Sequence, residues 1–129
     1  EGHAAVRAAT GVRIQTGENW WFPRGMAKAI AAGASDFAMP DLMKIGGITG
    51  WLRAAAQAEA ASLPVSSHIF VEASAHVLAV TPTAHWLEYL DLASTILAEP
   101  LEPEDGMITA NGPGLGIAWD EAAVARYAA

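Results

Sequence analysis

The sequence predicts an α/β fold built on parallel strands, and three observations predict it. Four ionisable residues, Glu18, Asp41, His68 and Glu88, recur at intervals of 20 to 27 residues, the length of one strand, one helix and their loops. The first three each end a short apolar or β-prone run, and Glu88 follows His85-Trp86-Leu87. Hydrophobic residues make up 53% of the chain and charged residues only 16%, the composition of a piece of a larger α/β protein. In a parallel barrel the C-terminal ends of successive strands converge on one face, where catalytic residues collect. Residues a βα unit apart can therefore share one site.

The elements follow in order. Residues 2–10 read as a helix end. Val12 to Gly17 alternates apolar and polar residues as a strand does. Pro23 fits the first turn of a helix, continued by Arg24 to Ala32 and stopped at Gly33, a residue that suits a C-cap. Asp36 to Met39 is a short buried strand. Gly46-Gly47 makes a tight loop, Thr49 is the expected cap of a helix over Trp51 to Ala61, and the alanines of that helix suit close packing on a sheet. Pro64 to Ser67 is a third strand, Val71 to Val80 a helix broken by Thr81-Pro82-Thr83, and His85 to Leu90 a fourth strand. After Leu92 the chain turns acidic and proline-rich over Glu99 to Gly106, then turn-rich from Asn111 to Gly116, with a closing helix expected over Trp119 to Ala128. Alternation of strands and helices argues for βαβ units.

The 129 residues suffice for one core. The net charge of −7 and the lack of a basic patch argue against a nucleic-acid partner. No apolar run approaches the ~18 residues of a membrane span, and no signal peptide is apparent. The chain has no cysteine, which rules out disulfides and thiolate zinc sites; a cytoplasmic location is compatible with this and expected. The opening Glu1-Gly2-His3 leads into a helix already under way, so the start reads as a cut and the chain as part of a longer polypeptide.

Several segments carry a resemblance. Gly17-Glu18-Asn19-Trp20, Met39-Pro40-Asp41-Leu42-Met43-Lys44-Ile45-Gly46-Gly47, Ser66-Ser67-His68 and His85-Trp86-Leu87-Glu88 resemble, in order and spacing, the mandelate racemase group of the enolase superfamily. The similarity continues through Ala75-His76, Thr81-Pro82-Thr83-Ala84 and Pro113-Gly114-Leu115-Gly116. It implies a (β/α)8 barrel enzyme with a separate capping domain. Residues 1–98 would be the last four βα units, and residues 99–129 a segment packing back on the barrel or the capping domain. The group abstracts a proton from the carbon beside a carboxylate, through an enolate, with Mg²⁺. On this resemblance Glu18 is the third of three carboxylate ligands to the metal, and His68 is a general base. Asp41 is its dyad partner, and Glu88 is the acid that hydrogen-bonds the substrate carboxylate. Lys44 tunes the dyad. The group's Lys-x-Lys pair and first two metal ligands are not in these residues and belong to earlier strands. The implied partners are a small carboxylate substrate and further copies of the full-length protein, and no activity is expected of the isolated chain.

The chemistry accounts for these residue types. A proton beside a carboxylate is very weakly acidic, and a hard, oxygen-ligated Mg²⁺ offsets the charge that develops when it leaves. A histidine base needs a fixed tautomer and added basicity, which a carboxylate on its other ring nitrogen supplies. Glu88 must be protonated to donate, and Trp86 and Leu87 beside it offer an apolar setting for that.

Taken singly, Glu18 reads as a surface acid, Asp41 as a turn residue, His68 as a structural histidine and Glu88 as a solvent-facing strand residue. Their common register at four strand ends outweighs those readings. His68, Glu72 and His76 at helical spacing suggest a zinc face, but His68 belongs to a strand end. Gly46 to Gly50 lacks a P-loop or dinucleotide fingerprint and reads as a tight turn. Three functions compete: a racemase of 2-hydroxy acids, an acid-sugar dehydratase using the same parts, and a silent half-barrel that serves assembly. Ile69 and Leu90, placed near the site, suggest an apolar substrate group and favour the racemase.

Overall fold

Four extended segments run parallel in chain order. In the computed structural model, which describes residues 1–128, helix α1 (Gly2–Thr10) leads to strand β1 (Gln15–Thr16). Helix α2 (Phe22–Ala31) and strand β2 (Phe37–Ala38) follow, then helices α3 (Gly47–Ala60) and α4 (Val71–Ala79), and finally α5 (Glu121–Tyr127). β1 pairs with β2 in parallel, Gln15 opposite Phe37. Val65 then bridges Ala38 on one side and Ala84 on the other, both in parallel. The ladder order is thus β1, β2, Val65, Ala84, each pair separated by a helical crossover.

The strands are shorter than the sequence predicts. Only Gln15–Thr16 of the expected strand from Val12 to Gly17 is laddered, because Ile14 O accepts from both Asp36 N and Phe37 N and the pairing begins there. The expected fourth strand, His85 to Leu90, is shifted. Val65 N donates to Thr83 O, His85 N to Val65 O and Ser67 N to Trp86 O, so pairing is finished by Trp86.

Helix α3 starts four residues earlier than expected, with Gly46 at its N-cap and Thr49 inside the first turn. Two glycines account for this. Gly46 adopts φ 104°, and a Cβ on Gly50 would stand 2.1 Å from Ile45 O, so the chain turns more tightly than a threonine cap allows. The buried residues of α3, Gly50, Trp51, Ala54, Ala55 and Ala58, lie on one helical face. That face packs against α2 and joins a core of Met26, Ala38, Ile45, Val65 and Val77. Full burial of side chains such as Met26 or Val65 contributes about 1.5–3 kcal/mol each. Trp51 donates its indole N–H to Thr81 Oγ1 at 2.9 Å, tying α3 to the turn that ends α4. Three other tryptophans, Trp21, Trp86 and Trp119, are exposed.

Beyond Leu92 the chain folds back on itself. Leu97 bridges Trp119 in antiparallel fashion, and Asp120 caps α5 by accepting from Ala123 N. The acidic stretch from Glu99 to Gly106 is exposed apart from Leu101. Among the described residues no helix is long and apolar enough to cross a membrane.

Two features tie the first strand end in place. Gly17 has φ 150°, and a Cβ there would lie 2.6 Å from the Met39 carbonyl carbon. Gly17→Ala is therefore expected to lower the unfolding free energy of the full-length protein by at least ~2 kcal/mol, as chemical denaturation would read. Arg7 bonds Asp36 Oδ1 through Nε at 2.9 Å, while Asp36 Oδ2 accepts from Ile14 N. The Arg7 hydrogen bond, then that of Ile14, holds the Asp36 carboxyl below its ordinary 3.8. A depressed carboxylate stabilises fully above its unfolded pKa and loses this as pH falls through the folded one. The stability difference between wild type and Arg7→Ala, small because the pair is exposed, should vanish on acidification below the usual aspartate range, as thermal melts against pH would read.

Candidate active site

The strand ends bring three of the four predicted residues into contact, His68 with Asp41 through a hydrogen bond and with Glu18 across 3.2 Å. Asp41 and His68 close the second and third extended segments and face each other in a parallel bridge, continuing the register set by Ala38 and Val65. Asp41 is 2% exposed. Its Oδ1 accepts from Met43 N and Lys44 N, each at 2.9 Å, and so builds the turn after β2. Its Oδ2 lies 2.9 Å from His68 Nδ1. An ionised carboxylate only accepts, so Nδ1 carries the proton.

His68 Nε2 lies 3.2 Å from Glu18 Oε2. An imidazolium held this way donates to Asp41 and pairs by charge with Glu18; the neutral ring keeps its proton on Nδ1 and leaves a lone pair on Nε2. Glu18 is half-exposed and its other oxygen accepts from Asn19 Nδ2 at 2.8 Å. Asn19 Oδ1 in turn accepts from Lys44 Nζ at 2.9 Å. Lys44 therefore touches the dyad through its backbone amide, while its ammonium group reaches toward Glu18 by way of Asn19.

Glu88 joins by a different route. Its Oε2 accepts from Ile69 N at 2.9 Å, and its own N–H donates to Ser67 Oγ at 3.1 Å. The peptide after His68 thus connects His68 to Glu88. Ile69 and Phe70 both have left-handed backbones, with φ of 43° and 50°. For a β-branched and an aromatic residue this costs about 1–3 kcal/mol each. Such strain clusters where surrounding structure holds functional groups in place.

The groove in front of the dyad has a volume of about 410 Å³. Trp21, Met43, Ile69 and Phe70 form its apolar wall, and Asp41, Lys44 and His68 its polar end. Ile69 lines this groove. Leu90 is half-exposed and outside this wall. Trp86 is 67% exposed and does not bury Glu88; Leu87 packs toward the core instead. The zinc face falls away, because His68 turns to Asp41, and among the described residues no group of three His, Asp or Glu is placed to hold a metal ion. The amides of Gly46, Gly47 and Gly50 donate to Met43 O, Leu42 O and Gly46 O, so the glycines of that loop have none to offer a phosphate.

A family described as enolase C-terminal domain-like matches residues 1–123. The chain belongs to this family of the enolase superfamily. A Bradyrhizobium enolase crystallised with magnesium and mandelic acid superposes with TM-score 0.94 and 71% identity, over 97% of this chain and 35% of that one. An L-talarate dehydratase from Polaromonas sp. JS666, solved with Mg and L-glucarate, gives TM-score 0.85 and 32% identity over 96% and 35% of the two chains. The L-talarate/galactarate dehydratase of Salmonella typhimurium is 34% identical over 95% of this chain and 31% of its own length. The chain spans about a third of the length of the relatives it matches. The fold is the α/β domain of this superfamily, as the sequence predicted.

Within this enolase-superfamily domain the donor set suits magnesium in part. Glu18 offers hard carboxylate oxygens at an exposed strand end, the ligand type Mg²⁺ takes. Asp41 does not compete for that role, since both its oxygens are engaged with His68 and the turn amides. Sequence patterns did not reveal Asn19, Ser67 or the Ile69 amide. The last is a backbone group, and Asn19 and Ser67 are adjacent to predicted residues but carry no spacing signal of their own.

Asp41→Asn tests the tautomer. Its Oδ1 can still accept from Met43 and Lys44, so the turn survives. Its amide then presents a donor to His68, which forces the ring proton to Nε2. Nitrogen chemical shifts of His68 in the full-length protein should report that exchange of tautomer, with the melting temperature little changed.

Proposed function

We propose that this chain supplies the base, its orienting carboxylate, one metal ligand and the acid for magnesium-dependent abstraction of the α-proton of a carboxylate substrate. We further propose that the substrate is a 2-hydroxy acid, which the full-length protein racemises. The observation that carries this is the Asp41–His68 pair, a buried carboxylate on the inner nitrogen of an imidazole that lines a groove and whose outer nitrogen lies 3.2 Å from Glu18 Oε2. The 71% identical neighbour, which holds magnesium and mandelic acid, supports the substrate class.

His68 Nε2 takes the α-proton, and Asp41 stabilises the imidazolium that results. Glu88 hydrogen-bonds the substrate carboxylate as charge builds on it. The Ile69 amide already occupies Oε2, so the donating proton sits on Oε1. Glu18 is the residue here that would hold magnesium, which when bound supplies positive charge against the substrate carboxylate. A base on the opposite substrate face, which racemisation requires, would come from the rest of the barrel.

A second reading is supported by the dehydratases among the relatives. The same His68 would return its proton to a departing hydroxyl, so an acid sugar would lose water.

The test is α-proton exchange in D₂O with the full-length protein, offering mandelate and, separately, galactarate and L-glucarate. Mandelate exchange with racemisation is expected. Water loss from the sugar acids, with mandelate inert, would replace the racemase by the dehydratase. His68→Asn should slow exchange of the enantiomer whose proton faces His68 by about 10²–10⁴-fold, read by NMR. Chelation of Mg²⁺ should abolish all exchange, and its return should restore it.

A further inference from the structure

We propose that Ser74 is a positioning residue that sets the carboxyl of Glu88 through the backbone of Ile69; this rests on the acid role given to Glu88 above. Ser74 lies in α4 and is fully buried. Its Oγ donates to Ile69 O at 2.7 Å, five residues back. The helix does not supply that carbonyl with an amide: Ala73 N and Ser74 N both donate to Phe70 O, one residue later. Ile69 is thereby held at both ends, its carbonyl by Ser74 and its N–H by Glu88 Oε2.

This clamp explains how Ile69 keeps a left-handed φ of 43°, which a β-branched residue does not adopt unsupported. Release of the carbonyl lets Ile69 relax toward an ordinary backbone. Its N–H then swings away from Glu88, whose Oε2 loses the bond that reserves Oε1 for the substrate. Ser67 holds the Glu88 backbone from the opposite side, so the carboxyl turns while the chain stays. Ser74 touches neither substrate nor metal ligand, and its effect must pass through Ile69.

The test uses the full-length protein with Mg²⁺, comparing wild type, Ser74→Ala, Glu88→Gln and the double variant. In Ser74→Ala the Ile69 amide, read by NMR in isoleucine-labelled protein, should exchange at least about tenfold faster. The turnover number should fall about 10–100-fold, the cost of a small misplacement of a reacting group, with KM and magnesium affinity within about threefold. In the Glu88→Gln background Ser74→Ala should add no further loss, because the group it positions is already gone. Should Ser74→Ala fail to fold, Ser74→Cys keeps the volume and lacks a strong donor, and the same pattern is expected of it. An unchanged Ile69 amide, or an equal loss of turnover in the Glu88→Gln background, would overturn the proposal. Wild-type protein that exchanges no α-proton, while its Ile69 amide is protected and Ser74→Ala exposes it, would sink the function and leave the clamp standing.

Discussion

The buried carboxylate of Asp41 is the group on which the rest of the site depends. Removing a charge from water costs several kcal/mol, and such a group persists only where its lone pairs are used. Here two backbone amides and an imidazole use them. The amides belong to the turn that leads into Gly46 and α3, and the imidazole to the neighbouring strand end. One side chain therefore joins a fold-defining turn to a candidate base. Its placement rests in turn on register: a slip of one residue in the Ala38–Val65 pairing would put Asp41 and His68 on opposite faces.

The remaining parts are arranged by the same economy of partners. Glu18 sits at a strand end that Gly17 brings against Met39. It remains exposed, and its two oxygens lean on His68 and Asn19. A lone, half-exposed carboxylate binds Mg²⁺ weakly, so the metal role proposed for Glu18 requires further ligands. Glu88 is fixed differently: its carboxyl accepts from the Ile69 N–H of a loop under strain, and its own N–H donates to Ser67 Oγ. His68 is thus held by a side chain and the Glu88 carboxyl by the main chain. That division is why the peptide following His68 couples them.

The βα periodicity was readable because a strand, a turn and a helix have a minimum length, and ionisable residues recurred at that length. Glu18, Asp41 and His68 were found this way and do come together. Element ends were less readable. Thr49 looks like a cap, yet Gly46 and Gly50 set the start of α3 through close backbone approach, which no propensity encodes. Trp86 looked like cover for Glu88 because the two are neighbours in sequence, and it is exposed instead. The Ser74–Ile69–Glu88 clamp was unreadable for another reason. It runs through a carbonyl and an amide, groups every residue possesses.

The dyad alone does not separate a racemase from a dehydratase, since both begin by removing the same kind of proton. The groove wall is what differs in its demands. Trp21, Met43, Ile69 and Phe70 offer almost no hydrogen-bond partners. A polyhydroxylated acid placed against them would leave hydroxyls unpaired, at about 1–3 kcal/mol each. An aryl or alkyl group there buries apolar area at about 25 cal/mol per Å² and leaves no donor unmet. A sugar acid could be accepted only if the rest of the barrel and its cap supplied polar partners from the other side. The proposed reading, a hydroxy acid with an apolar substituent, therefore rests on this half of the groove.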